Sequence, residues 1–391
     1  MQDRKLAIPA NIHQVRIKSV NNGMQCALCK TQLTGMNTSK EHIFPNAIGG
    51  RRTVRGFICT HCNNNTGSKW DAKLARQLRP LCTLLGIKRP RGSNQSFTVR
   101  GIDGTKLEYL PDGSMSLAKP IYRVKESNGR VEINVMARTR EELKGMIPGI
   151  VRRHPKLSQD MLLQTATWSK EPSPWFGSEL EFGGVETGKS IIKTCLAMVY
   201  SCGLKIDQCE HAKSYLFEGG EPCFGYFNTR DLVRNKPSQS YFHCVWIRGD
   251  SRRGHIVAYV EYFGFRKVVA CLSSTYSGKE FSCGYAIDPV TGKELDIDVE
   301  IDFTPDEIRR VYAYEMVDHH NTLQDLEPMF EYILELDYQR AKHNAIDTAI
   351  KHALSELRLP SPNLLRVEDI PRFSSLFVES FAEWVFRERK N

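Results

Sequence analysis

Two Cys-x2-Cys pairs constrain this chain more than any other feature of its sequence. Cys26 and Cys29 form the first pair, and Cys59 and Cys62 form the second. Four soft thiolate ligands in this arrangement suffice for one closed tetrahedral zinc site. The sequence therefore predicts a structural zinc ion that holds together a small N-terminal scaffold.

The residues between and just after these pairs are suited to hydrolysis of a phosphodiester bond. Glu41 and His42 lie between the pairs, and Asn63 follows the last cysteine, where it is predicted to open a helix. The imidazole of His42 can take a proton from water because it titrates near neutral pH. The carboxylate of Glu41 and the amide oxygen of Asn63 are hard ligands suited to Mg²⁺ or Mn²⁺. We therefore predict His42 as a general base and the other two residues as ligands of a catalytic ion.

The sequence leaves two features of this segment undetermined. Glu41 and His42 are adjacent, so on a regular strand their side chains point to opposite faces, and a bulge or bend is needed to bring both to one site. Asp71 lies on a helix face similar to that of Asn63, where it is either a brace of the site or an exposed acid. Apolar residues at spacings of three and four predict that this helix continues to Leu85, and Gly86 is the predicted stop.

The order of these motifs resembles that of the HNH endonucleases, and most closely their Glu-His-Ile-x-Pro branch with two zinc-binding cysteine pairs. The resemblance covers roughly residues 24–80. It implies a ββα-metal finger in which one divalent ion and one histidine cut DNA and leave 5′-phosphate ends. It also implies that His42 is the base and that Glu41 and Asn63 hold the metal ion. The middle asparagine of the family has no clear match, because Val54-Arg55-Gly56-Phe57 occupies its place.

The charge of the chain is unevenly distributed. Residues 1–100 contain 17 Lys and Arg but only three acidic residues, whereas the whole chain has a net charge of +9, so residues 101–391 are net acidic. A cationic surface beside a metal site favours a polyphosphate partner through counterion release and steering. We therefore predict a polyphosphate partner, which the resemblance specifies as DNA, although a solvated surface that only keeps the protein soluble would have the same composition. The predicted phosphate contacts are Arg51, Arg52, Arg55, Lys69 and Lys73.

A chain of 391 residues is expected to form two or three domains. Turn signals and alternating apolar residues predict short antiparallel strands over residues 97–135 and an antiparallel sheet over about 241–302, with helices after it. The predicted fold is therefore α+β, with a zinc-stabilised HNH domain followed by a larger α+β domain. The predicted division is residues 1–88 for the HNH domain, 89–96 for a linker and 97–391 for the larger domain, with a sub-boundary near 303.

The sequence also predicts a cytoplasmic protein. Met1 to Ile17 alternates charged and apolar residues, unlike a signal peptide, and no apolar run approaches the roughly 20 residues of a membrane helix. Eight of the 12 cysteines lie outside the two pairs, and in a reducing compartment they are expected to be buried free thiols. The larger domain is the expected surface for a target, a second copy of the chain or a partner subunit.

Two alternative functions are compatible with the sequence. One is a zinc ribbon that binds nucleic acid without cutting it. The other is a nuclease gated by a nucleotide, because Gly183–Ser190 matches the P-loop pattern and contains Lys189. The context disfavours a P-loop, since the preceding residues make a poor buried strand and Glu186 would place an anion in the phosphate cradle. A restriction or phage-defence role is suggested only by analogy with the uses of such nucleases.

Overall fold

The computed structural model describes most of the chain, and its strands and helices are numbered here in chain order. The leader at residues 1–23 and the middle of the predicted linker at residues 90–94 lie outside the described residues. The described ranges are 24–89, 95–102, 104–127, 130–167, 176–177, 180–236 and 241–388.

The N-terminal finger consists of a hairpin and a segmented helix. Its elements are β1 (Thr38–His42), β2 (Thr53–Cys59), α1 (Thr60–Thr66), a π-helical turn (Gly67–Asp71), α2 (Ala72–Gln77) and α3 (Arg79–Leu84). The two strands pair antiparallel. The helix begins at Thr60, one turn before the predicted start at Asn63, because the sulfur of Cys59 accepts the N–H of Cys62 and caps the first turn. Gly86, with a φ of +68°, follows the last turn, so the predicted stop is correct.

The larger part of the chain contains a four-stranded sheet, a separate hairpin and a five-stranded sheet, and every strand pair in the described ranges is antiparallel. The first group of elements is β3 (Phe97–Gly101), β4 (Lys106–Tyr109), β5 (Met115–Leu117), β6 (Ile121–Ser127), β7 (Arg130–Met136), α4 (Arg140–Arg153), α5 (Gln159–Thr165) and β8 (Phe176–Gly177). The second group is α6 (Val185–Ser201), α7 (Glu210–Phe217), β9 (Phe224–Tyr226), β10 (His243–Asp250), β11 (His255–Tyr262), β12 (Arg266–Ser273), β13 (Phe281–Ile287), α8 (Pro305–Tyr312), α9 (His319–Glu356) and α10 (Ile370–Glu388). The predicted α+β class is confirmed.

The central sheet has the strand order β13-β10-β11-β12-β9. The predicted antiparallel meander is correct for β10, β11 and β12, which pair with their chain neighbours. β13 instead returns to pair with β10 at the opposite edge, and β9, which lies outside the predicted range, covers β12. Alternating apolar residues identify strands, but the order of strands depends on packing between distant segments.

α6 and the finger cover one face of this sheet. Apolar side chains from the finger, from α6 and from the sheet form one continuous core that includes Phe57, Leu196 and Val245. The other face of the sheet packs against α8 in a second core that includes Cys244 and Val311. The predicted division at residues 89–96 therefore separates two sequence segments that share one core.

The eight cysteines outside the two pairs fall into two groups. Cys202, which follows α6, and Cys283 on β13 are joined by a disulfide, so the expectation of free thiols is wrong for these two residues. Their elements are distant in sequence but lie side by side in the fold, which the sequence could not indicate. The other six are buried free thiols, as predicted: Cys82, Cys195, Cys209, Cys223, Cys244 and Cys271. Within the described ranges, no helix combines the length and the apolar character that crossing a bilayer requires.

Candidate active site

The four cysteines of the two pairs converge at one point of the finger. Their sulfur atoms all lie within 4.8 Å of one another, and those of Cys29 and Cys59 are 3.7 Å apart. Zinc–sulfur bonds of 2.3 Å in a tetrahedron place the sulfurs about 3.8 Å apart. The cluster therefore fits one structural zinc ion in size and in ligand chemistry. Among the described residues, no other group of three or more His, Cys, Asp or Glu side chains has this convergence.

Local backbone structure explains why the sulfurs converge. The first pair lies in a tight turn in which Lys30 N–H donates to the carbonyl of Cys26 over 3.0 Å and Lys30 has a φ of +61°. The second pair spans the last residue of β2 and the first turn of α1, where Cys59 is the N-cap. The backbone N–H of Cys59 donates to the sulfur of Cys26, 3.3 Å away, and so links the two pairs. A metal ion at this cluster would fix the end of the hairpin to the start of the helix.

His42 is the last residue of β1 and is partly exposed. Its ring forms no hydrogen bond with the described residues, so its nitrogen atoms are available to water or substrate. Burial lowers the pKa of His42, and the positive charges of Arg51 and Lys193 lower it further, against the opposing charge of Asp71. The ring is therefore neutral at pH 7 and can accept a proton.

The chain immediately after His42 is anchored on the central sheet. Phe44 is fully buried, and its ring lies 5.4 Å from that of His243 and 5.7 Å from that of Tyr262. His243 Nε2 lies 2.9 Å from the carbonyl oxygen of Ile48, and burial lowers the pKa of His243 to about 4, so its neutral ring donates this bond. The turn ends at Gly49, whose φ is +98° and where a Cβ atom would lie 2.6 Å from Pro289. The larger part of the chain thus holds the segment that positions His42.

Glu41 is placed differently from His42. The hairpin has a register shift between Thr38 and Lys40, but Glu41 and His42 pair with consecutive partners on β2, so the predicted bulge does not lie between them. The charges of Lys193 and Asp71 nevertheless act on both side chains, because His42 is the last residue of the strand. Glu41 is only 3% exposed, on the inner face of the strand. Its Oε1 atom lies 2.6 Å from Nζ of Lys193, a residue of α6 that is 2% exposed. Burial raises the pKa of Glu41, and the ammonium of Lys193 opposes that rise.

Lys193 links Glu41 to Asp71. Its Nζ atom is 2.5 Å from Oδ2 of Asp71, and Oγ of Ser190 donates to Oδ1 of the same carboxylate over 2.7 Å. Burial alone would lower the pKa of Lys193. The negative charges of Asp71 and Glu41 have the larger combined effect, so the pKa is raised above its ordinary value and the side chain is charged. Asp71 therefore braces the site and is not an unpaired surface acid. Sequence reasoning missed the contacts of Lys193 and Ser190 with Asp71, although a lysine among the apolar residues Ile191, Ile192, Cys195 and Leu196 was a usable signal.

Asp71 reaches this position because the finger helix contains a π-helical turn. Gly67–Asp71 adopts π geometry between α1 and α2. One extra residue in a turn rotates the residues after it around the helix axis, and such turns are frequent at functional sites. The periodicity of an unbroken α-helix could not place the side chain of Asp71.

Asn63 lies in α1, beside the strand that carries Glu41. Its Nδ2 atom donates to the carbonyl oxygen of Lys40 over 3.4 Å, which holds the amide next to the Glu41 peptide. Within the described ranges, Oδ1 of Asn63 and Oε2 of Glu41 have no hydrogen-bond partner. These two oxygens are hard donors of the type that Mg²⁺ and Mn²⁺ prefer, so the donor chemistry fits the predicted ion.

The predicted phosphate contacts fall into two groups. Arg51 donates to Oδ1 of Asn46 and to the carbonyl oxygen of Lys88, at 3.2 and 3.1 Å. Arg52 forms an ion pair with Glu294 and lies over the ring of Tyr285 at 4.2 Å, so it ties the finger to the larger part. The second group has no ion-pair partner among the described residues and consists of Arg55, Lys69 and Lys73, with the first two exposed and the third partly buried.

The Gly183–Ser190 segment is not arranged as a phosphate-binding loop. Residues 180–183 form no strand, and α6 begins at Val185. The side chain of Gln77 binds both the N–H and the carbonyl oxygen of Gly183, at 3.2 and 2.9 Å. Lys189 donates to the carbonyl oxygen of Leu216 over 3.3 Å, away from the glycines. The segment docks α6 onto the finger, which does not support nucleotide gating.

Residues 26–79 match the sequence model of a family described as HNH endonuclease. The match spans the cysteine cluster, both strands of the hairpin, and α1 and α2. This part of the chain is therefore an HNH endonuclease domain, and its four-cysteine cluster fits a zinc ion. The predicted resemblance is confirmed for these residues, and the class of protein they indicate is a nuclease. No curated protein and no solved structure matches the chain.

Proposed function

We propose that the protein is a metal-dependent endonuclease that hydrolyses phosphodiester bonds of DNA. The observation that carries this proposal is the match of residues 26–79 to the HNH endonucleases. The cysteine cluster supports it, because the cluster lies at the end of the hairpin that contains His42. The accessible and neutral ring of His42 supports its assignment as general base. Zinc is assigned to the four cysteines, and Mg²⁺ or Mn²⁺ to Glu41 and Asn63.

His42 has one role in the proposed reaction. A ring nitrogen of His42 takes a proton from a water molecule as the water oxygen forms a bond to phosphorus. The bond between phosphorus and the 3′-oxygen breaks, the leaving oxygen takes a proton from a solvent water molecule, and the products are a 5′-phosphate and a 3′-hydroxyl. A bound divalent ion supplies Lewis acidity at the phosphoryl group. Oδ1 of Asn63 and Oε2 of Glu41 are the oxygens that would bind this ion. The buried ring of Phe44 keeps the end of β1 in place.

A plasmid cleavage assay tests the proposed function directly. We expect the purified chain to nick or linearise supercoiled DNA with Mg²⁺ or Mn²⁺ and to leave it intact with EDTA. Comparison with a single-stranded RNA of similar length tests the choice of DNA as substrate. If DNA is bound but remains intact with every divalent ion, the zinc-ribbon binding module becomes the better description of this domain.

We propose that Arg55, Lys69 and Lys73, which have no ion-pair partner among the described residues, contact DNA phosphates. Replacing Arg55, Lys69 or Lys73 with alanine is expected to weaken binding to all sequences and to reduce the slope of log K against log salt concentration by about 0.9 for each lost contact. Fluorescence anisotropy with a labelled duplex at several salt concentrations measures this slope. Arg309→Ala is the control, because Arg309 is an exposed arginine outside the finger. An unchanged slope in all three finger variants would contradict the proposed DNA path.

The biological setting is proposed by analogy with the uses of such nucleases. We propose a cytoplasmic enzyme with a restriction or phage-defence role, in which the larger part recognises a target, a partner subunit or a second copy of the chain. The continuous core between the finger and the larger part supports coupling of recognition to cleavage, because a change in one part is transmitted to the other through packed side chains.

A further inference from the structure

We propose that Lys193 is a positioning residue of the nuclease site, holding one oxygen of Glu41 so that the other is presented to the divalent cation. This inference rests on the proposed function and assigns a role in it to the larger part of the chain. Lys193 would touch neither DNA nor the cation. It would act through Glu41.

The two oxygens of Glu41 have different surroundings. Oε1 is 2.6 Å from Nζ of Lys193, whereas Oε2 has no hydrogen-bond partner within the described ranges. A carboxylate with one oxygen fixed has a single orientation for the other, and a pre-oriented ligand loses less conformational freedom when it binds an ion. The side chain of Lys193 is 2% exposed, so water does not compete for this contact.

Polar residues of α6 hold this lysine in place. Thr187, Ser190 and Lys193 recur every three residues and so lie on one face of the helix. Thr187 donates to Gln77 over 2.7 Å, and Ser190 donates to Asp71 over 2.7 Å. This face therefore binds the finger helix at successive turns, and the ammonium is held between two carboxylates.

The net charge of the cluster also favours a divalent cation. Glu41, Asp71 and Lys193 together carry a net charge of −1, so a divalent cation still meets a favourable field at the cluster. The competing possibility is that the ammonium occupies the position of the catalytic ion and blocks it. The two possibilities predict opposite effects on metal affinity when Lys193 is removed, because an orienting residue strengthens metal binding and a blocking residue weakens it.

The test measures Mn²⁺ binding by loss of the free-ion EPR signal, in the His42→Ala background so that cleavage does not interfere. The key variant is Lys193→Met combined with Asp71→Asn, which keeps the cluster charge at −1 and avoids two uncompensated buried carboxylates. Lys193→Met alone is the second variant, and Lys189→Met, four residues earlier on α6, is the control. Zinc content and thermal unfolding of each protein report whether the finger remains folded.

We expect the double variant to keep its zinc and its fold and to bind Mn²⁺ at least 10-fold more weakly than the control. With His42 restored, the Mn²⁺ concentration for half-maximal cleavage should rise by the same factor. Unchanged or tighter Mn²⁺ binding would overturn the proposal, and so would the absence of any Mn²⁺ site in the control. Weaker Mn²⁺ binding in a protein that never cuts DNA would uphold the role of Lys193 while the proposed function fails.

Discussion

Replacing His42 with alanine is expected to slow DNA cleavage by about 10²–10⁴-fold, the usual contribution of a general base. The methyl group cannot take a proton from the attacking water, so the water must react without activation. The ring of His42 forms no hydrogen bond with the described residues and lies partly exposed at the end of β1, so its removal should leave the fold intact. Affinity for DNA and zinc content should also remain unchanged.

Single-turnover cleavage of a labelled duplex at saturating Mn²⁺ measures this effect, because it separates the chemical step from binding and product release. His61→Ala is the matched control, since His61 is an exposed histidine of the same finger and lies between two zinc-ligand positions. A rate in His42→Ala equal to that of His61→Ala would show that another group activates the water.

The second large effect concerns the zinc site. Replacing Cys59 with alanine is expected to abolish zinc binding and to unfold the hairpin, because structural zinc contributes about 10–16 kcal/mol to the folding of isolated zinc fingers. Cys59 also caps α1 and accepts the N–H of Cys62, so its loss frees the start of the helix. Cleavage should fall below detection, since the hairpin carries His42.

Zinc content by mass spectrometry and trypsin protection of the finger measure this outcome. Cys223→Ala is the control, because Cys223 is a buried free thiol outside the cluster. We expect one zinc per chain in the control and none in Cys59→Ala. A zinc-loaded and protease-resistant Cys59→Ala protein would contradict the assignment of the four cysteines to a single ion.

The finger was largely predictable because its determinants are local. The spacing of Cys26, Cys29, Cys59 and Cys62 specifies a metal cluster whatever the rest of the chain does. Gly86 stops the helix through its own backbone conformation, and Thr304 and Glu307 form a capping box at the start of α8. In each case, a few neighbouring residues determine the structure.

The rest could not be predicted because it depends on contacts between distant segments. Lys193 meets Glu41 across 152 positions of sequence, and Arg52 meets Glu294 across 242. No periodicity or spacing encodes such pairs. The same limit applies to the pairing of β13 with β10 and to the disulfide of Cys202.

Predictions made from residue type alone therefore need the context of the fold. Arg52 has the charge of a phosphate contact, but its guanidinium is used inside the protein. Glu41 has the chemistry of a metal ligand, yet one of its two carboxylate oxygens is bound by the ammonium of Lys193 from another part of the chain. The site is consequently a joint product of the finger and α6, and the family resemblance covers only the first of these.

We propose that a zinc-held finger uses His42 to hydrolyse DNA. The most direct measurement compares the yield of 5′-phosphate ends from supercoiled plasmid in Mn²⁺ for zinc-loaded wild type and zinc-loaded His42→Ala. We predict abundant 5′-phosphate ends with the wild type, none with EDTA, and only a trace with the variant. Equal yields from the two proteins would contradict the role of His42 as general base, and intact plasmid with both would contradict the nuclease activity.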